Sequence, residues 1–300
     1  MKNFFFLAVA AGLLTAASCN KQIDGTASLR RSAVTDEIAF RYSGLDLETY
    51  TKAVTPVTEL DSFNVAAVTG SSKSEYAYAW NSQTVTFTKD GTTSSYKGGK
   101  FWPDQDPKYH FFASNATMTI AAKSAPTITA ANTTDIICAY LETPEHKKEN
   151  TLKFNHIFAR LGTVTVNGVD GYTASGVSIA ITPDTGGTYD MLEGNGKTDG
   201  TGWSGKTAGS AVTIASAMGT NAATDTYLVP GSYSLTVKYT LTMGDFTRSY
   251  TKTGTVALTA GKINNITATL PKPGSDEEAK EIIFKVAVTP WTEENVIVRY

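Results

Sequence analysis

Three hundred residues, 41% hydrophobic and 18% charged, suffice for two domains that each bury a core, which excludes a disordered chain. Twenty-six lysines and arginines against 28 acidic residues leave a net charge of −2 and no basic stripe. Attraction to nucleic acid or to an anionic membrane surface is therefore excluded as the organising principle.

The chain begins MKNFFFLAVAAGLLTAASC: a charged Lys2, an apolar stretch from Phe4 to Leu14, then small residues up to Cys19. This order predicts a signal peptide over 1–18, because the apolar run is too short to span a bilayer comfortably. A polar, tether-like segment is expected over 19–35. Cys19, preceded by the small Ala17 and Ser18, resembles the lipidated acceptor cysteine of bacterial lipoproteins; with it removed from the count no intramolecular disulfide is expected, and Cys138 in DIICAYLE reads as a small buried hydrophobe.

From EIAFRYSGL onward the chain alternates apolar and polar residues in short runs broken by Gly, Asn, Asp and Thr, with no sustained helical period. YAYAWNSQTVTFTKD, TMTIAAKSAPTITA, LGTVTVNGV, SYSLTVKYTLTM and RSYTKTGTVALTAG are typical. The expected fold is all-β, with β-sandwich domains rather than βαβ units. Charged, turn-rich TPEHKKEN suits a boundary, giving an N-terminal domain over 36–150 and a second over 151–273 plus 281–291. PKPGSDEEAKE between the last two pieces reads as an exposed linker, since proline cannot donate to a ladder. Segment 292–300 resumes the alternation at Val296, Val298 and Tyr300.

Chemistry-bearing patterns are sparse. Gly200, Gly205, Lys206 and Thr207 match phosphate-loop spacing, but strand-like AGSAVTIASAMG follows where a helix is required, so 185–224 is read as a long glycine-rich loop or hairpin. His110, His146 and His156 form no HxxxH or HxH pair, and no GxSxG elbow occurs. No catalytic residue, metal ligand or cofactor-binding residue is expected, and the protein is read as no enzyme.

Several marks, in order, resemble the fimbrillin-like proteins of Bacteroides-type bacteria. Thr51, Lys52 and Ala53 are similar to a short element after the family's first strand. Phe101, Trp102 and Pro103, then Tyr109, Phe111 and Phe112, resemble its aromatic-Trp-Pro strand pair. Phe154, His156, Ala159 and Leu161 in LKFNHIFARLGTVTV, and Phe284, Val286, Val288 and Trp291 in FKVAVTPW, resemble the strands that open and close its second domain.

The resemblance implies two β-sandwich domains of transthyretin-like, Greek-key type with a C-terminal donor strand, in a fimbria or pilus subunit that acts in adhesion or biofilm formation, with other subunits as partners in a homo- or hetero-polymer. It also implies a lipoprotein precursor carrying palmitate-type chains on Cys19, anchored in the outer membrane and surface-exposed. A trypsin-like protease then removes the first strand, about 37–45, and a strand from the next subunit fills the groove by β-augmentation. Lys52 is the first choice for the cut, since it follows that strand; Arg41 lies inside it, and Arg30 or Arg31 before it. Val296, Val298 and Tyr300 form the candidate donor face, each supplying about 1.5–3 kcal/mol on burial. The alternative is a monomeric surface lipoprotein that binds glycans, with Trp80, Trp102, Trp203 and Trp291 as stacking platforms.

Overall fold

The computed structural model describes residues 37–43, 60–103, 108–222, 226–274, 282 and 284–290. Among them, two single 3-10 turns interrupt an otherwise all-strand structure. The first strands are β1 (Glu37–Ser43), β2 (Ser62–Thr69), β3 (Ala77–Tyr78), β4 (Val85–Lys89), β5 (Tyr96–Phe101), β6 (Tyr109–Ser114), β7 (Thr127–Ala131), β8 (Ile137–Leu141), β9 (Asn150–Lys153) and β10 (Asn155–His156). They are followed by β11 (Ala159–Asn167), β12 (Thr173–Ile181), β13 (Asp184–Asp190), β14 (Trp203–Ala208), β15 (Val212–Ala215) and β16 (Gly219–Asn221). The last are β17 (Tyr227–Leu228), β18 (Gly231–Met243), β19 (Phe246–Leu258), β20 (Lys262–Thr269) and β21 (Phe284–Pro290).

The first sheet runs β10-β8-β6-β2-β4-β5-β1-β9, with β3 added on β2. Its two ends are one run of chain, because only Phe154 separates β9 from β10. The sheet therefore curls until a single extended segment, 150–156, joins β1 on one side to β8 on the other.

Alternation along β2 and β6 explains what fills and what covers this sheet. Phe63, Val65 and Ala67 of β2 and Phe111 and Ala113 of β6 point into the enclosed core. Ala66 and Val68, with Phe112, point the other way into a second core containing Ile128, Phe158 and Trp203. All six residues of β6 are buried because both of its faces are covered. The outer cover includes the sheet β14-β13-β7, whose hairpin β13–β14 occupies part of the glycine-rich segment 185–224.

The remaining strands make two packed sheets, β16-β11-β20-β21 with β17 on β11, and β15-β12-β18-β19. Between them lies a third core to which β18 contributes Tyr233, Leu235, Val237, Tyr239 and Leu241, each second residue in turn. β21 closes the edge of the first of these sheets, antiparallel to β20 in continuous register from Ala268↔Phe284 to Lys262↔Pro290.

Candidate functional site

β1 forms as a strand because EIAFRYS alternates, and its apolar members face the enclosed core. Ile38 and Phe40 are 0% exposed, whereas Arg41 points to solvent and pairs with Glu149. The Phe40 ring sits 5.0 Å from both Phe87 and Phe111, edge to face in each case, and 6.5 Å from Phe63. Tyr42 tilts over Tyr96 at 5.5 Å and meets the edge of Phe154 at 6.3 Å.

The backbone of β1 is held on both sides. It pairs antiparallel with β5, with an irregularity between Glu37 and Ala39, and parallel with β9 from Phe40↔Asn150 to Ser43↔Lys153. The Glu37 carboxylate accepts from the Gly99 N–H at 3.1 Å, and the Phe154 N–H donates to the Ser43 carbonyl at 3.0 Å. Without β1, the space between β5 and β9 would be a slot with two unpaired edges and a floor of Phe63, Phe87, Phe111, Tyr96 and Phe154. Such a slot binds an extended apolar segment through ladder hydrogen bonds and alternate side chains, and exposed to water it would be unstable.

Of the residues that the sequence marks for processing and donation, Arg41 alone lies within the described structure. Cys19, Arg31, Lys52, Val296, Val298 and Tyr300 lie outside the described residues. Arg41 is in the middle of the β1–β9 ladder, opposite Thr151, a poor position for a protease that needs extended, unpaired backbone. The structure adds Phe154 and Tyr96, which the sequence analysis did not place at this groove. The aromatic density around them was visible, but the strands that bring them to β1 are distant in sequence.

The other chemistry-bearing side chains are engaged structurally. His110 donates from Nε2 to the Gly70 carbonyl at 2.8 Å, and its Nδ1 lies 2.9 Å from the Tyr140 hydroxyl. His156 donates from Nδ1 to the buried Asp135 carboxylate at 2.8 Å. Burial pushes the Cys138 thiol up to about 12. Lys73 reaches Asp190 at 2.6 Å, and that hydrogen bond raises its pKa while tying the loop after β2 to the end of β13. Lys206 and Thr207 lie on β14, a strand, so the phosphate-loop spacing has no helix to serve. Among the described residues no group of His, Cys, Asp and Glu is placed to hold a metal, and no helix is long and apolar enough to cross a membrane.

A family model for fimbrillin-like proteins matches residues 51–291, and the chain belongs to that family, whose members are structural rather than enzymatic. The match starts after β1 and stops before 292–300, so both segments of the exchange scheme lie outside it. Similar solved structures include a protein assigned to cell adhesion from Bacteroides ovatus, 14% identical with a TM-score of 0.47, covering 87% of this chain and 99% of that one. Another is a fimbrial assembly protein from Parabacteroides distasonis, 13% identical with a TM-score of 0.39, covering 84% and 98%. A third, assigned to cell adhesion from Bacteroides eggerthii, is 12% identical with a TM-score of 0.41, covering 86% and 96%. At these scores the likenesses carry no argument of their own. No curated protein matches the chain.

Proposed function

We propose that this fimbrillin-like protein is a fimbrial or adhesin subunit of a surface appendage, assembled by strand exchange at the β1 groove. The precursor is exported as a lipoprotein modified at Cys19 and held at the outer membrane. A trypsin-like protease cuts after Lys52, β1 leaves, and segment 292–300 of the next subunit enters, its Val296, Val298 and Tyr300 taking the places of Ile38, Phe40 and Tyr42. The two-domain division near residue 150 belongs to the same reading.

The observation that carries it is the setting of β1. It is a short strand gripped on both edges, with Phe40 at the centre of an aromatic core, and segment 44–59 that follows it contains Lys52. Removing such a strand from a finished core makes sense only if another strand replaces it, since Ile38 and Phe40 alone contribute about 1.5–3 kcal/mol each by burial.

Mass spectrometry of the assembled polymer tests this. An N-terminus at Ala53 is expected; a polymer that retains Cys19 at its mature N-terminus overturns the exchange step. Glycan binding has less support, since Trp102 is 1% exposed and Trp203 is 9% exposed, too buried to stack on a sugar, and the Trp80 ring already packs against Phe87 and Phe111.

A further inference from the structure

A cleft of about 340 Å³ opens where the first sheet, the β13–β14 connection and the β19–β20 turn converge. Its lining includes Lys153 at the end of β9, Lys197 in the β13–β14 connection and Lys262 at the start of β20. No carboxylate lines it. None of the three lysines is in an ion pair with a described residue, although Lys73, Lys97 and Lys148 elsewhere each have one. Three like charges gathered around a concave surface repel one another and attract an acidic group.

The register of the last strand says which acidic group is at hand. β21 runs antiparallel to β20 and finishes with Pro290 opposite Lys262, at the lip of the cleft. Directly paired residues lie about 5 Å apart between Cα atoms. The chain then continues Trp291, Thr292, Glu293, Glu294, Asn295, so the Cα of Glu293 can lie no farther than about 10 Å from that of Pro290. Glu293 and Glu294 therefore follow closely on a strand end beside three lysines; Lys197 has Asp199 as a nearby charge outside the cleft lining, and none of the three is in an ion pair with a described residue.

We propose that this cleft is the docking site for the chain's own segment 291–295, with Glu293 and Glu294 set against Lys153, Lys197 and Lys262 in the unassembled subunit. The contact fixes the root of the tail on its own molecule and is weakened by salt. If the tail is also the donor strand of the reading above, this contact has to be released before donation, so the cleft restrains polymerisation; the docking itself does not depend on that reading.

The test uses the full chain, unassembled and without protease, so its outcome is separate from that of the N-terminus of the polymer. Carbodiimide coupling of a mixture of ¹⁴N- and ¹⁵N-labelled protein is expected to join Glu293 or Glu294 to one of the three lysines within a single chain. Coupling of Lys73 to Asp190 serves as the positive control. In hydrogen exchange, the amides of 291–295 are expected to be protected at least tenfold at low salt. That protection should vanish in Lys153→Gln/Lys197→Gln/Lys262→Gln, while β18 and β19 keep theirs. The proposal is overturned if the glutamates couple only between chains, if they fail to couple while the control succeeds, or if the triple variant leaves the protection unchanged.

Discussion

Phe40 meets Phe111 edge to face, their ring centroids 5.0 Å apart and their planes at 78°, which locks the first strand to the most deeply buried strand of the same sheet. The contact joins residues far apart in sequence. β1 is thus a core strand of the unprocessed chain, even though it is attached through a segment that carries the candidate cut.

Phe40→Ala should cost the unprocessed chain about 3–5 kcal/mol, since it empties a fully buried site between three aromatic rings that cannot all move in. Urea unfolding of the unassembled protein measures this. If β1 is replaced on assembly, polymer made from the variant should resist denaturant as well as polymer from the parent. Equal weakening of both forms would mean that β1 stays in the fibre.

Limited trypsin digestion of the folded chain should cut at Lys52, the one basic residue in 44–59, well before Arg41. Arg41 belongs to a ladder between two strands, and cleavage there requires β1 to open first. Lys52→Ala should abolish the early cut, and Arg41→Ala should leave it unchanged. Because Arg41 pairs with Glu149 at the surface, its loss should shift stability by no more than about 1 kcal/mol. Early cleavage at Arg41 would show that β1 frays in the intact subunit.

Much of this was legible in local pattern. EIAFRYS reads as a strand whose Ile38 and Phe40 face in and whose Arg41 faces out, and that is its disposition in the structure. The closure of the first sheet was not legible, because it depends on parallel pairing of β1 with β9, more than a hundred residues away, which no local period encodes. LKFNHIFARL is read as a second-domain strand by resemblance. In the structure Phe154 serves the enclosed core, Phe158 the outer one, and Leu161 the core of the last two sheets. The pairing of β13 with β7 was hidden for another reason. Gly186 and Gly187 break the alternation, yet a Cβ at Gly186 would strike the Ala130 carbonyl oxygen of β7, and one at Gly187 would lie 2.8 Å from the Ser204 carbonyl oxygen of β14. Glycine there reads as loop but permits two strands to approach closely.

Cys138 should report global opening. Its thiol lies in the outer core and burial holds its pKa at about 12, above the usual cysteine range. At pH 8, iodoacetamide should label it at least about 10³-fold more slowly than in urea, since reaction requires unfolding. The sign of the linkage is set by the raised pKa. The stabilisation from keeping the thiol neutral is complete below about pH 8.5, where the unfolded thiol is also protonated, and is lost progressively as pH rises toward 12. Urea curves between pH 8 and 10.5 should therefore show stability falling more steeply in the parent than in Cys138→Ala, which keeps the fall from buried tyrosines such as Tyr140 and Tyr189, whose hydroxyls burial likewise holds above their usual range. Rapid labelling under native conditions would place the thiol at an opening local to β8.

Gly254 offers a way to loosen the last strand without touching it. In β19 its Cα faces the approach to β21, and an added Cβ would meet the carbonyl oxygen of Ile282 and lie 2.5 Å from Cε2 and 2.8 Å from Cδ2 of Phe284. The Ile282 N–H donates to the Thr253 carbonyl at 2.9 Å, so the backbone there is tied and cannot retreat without losing that bond. Gly254→Ala should therefore cost about 1–3 kcal/mol by overpacking. The loss should be local: amides of β20 and β21 exchange faster, while β2 and β6, packed in other cores, are unaffected. Val288→Thr is the matched control, because Val288 is 47% exposed on β21 itself and its change should stay within about 0.5 kcal/mol. If Gly254→Ala leaves the exchange of β21 untouched, the strand is not held against β19 as described, and its role as the fixed root of the tail fails with it.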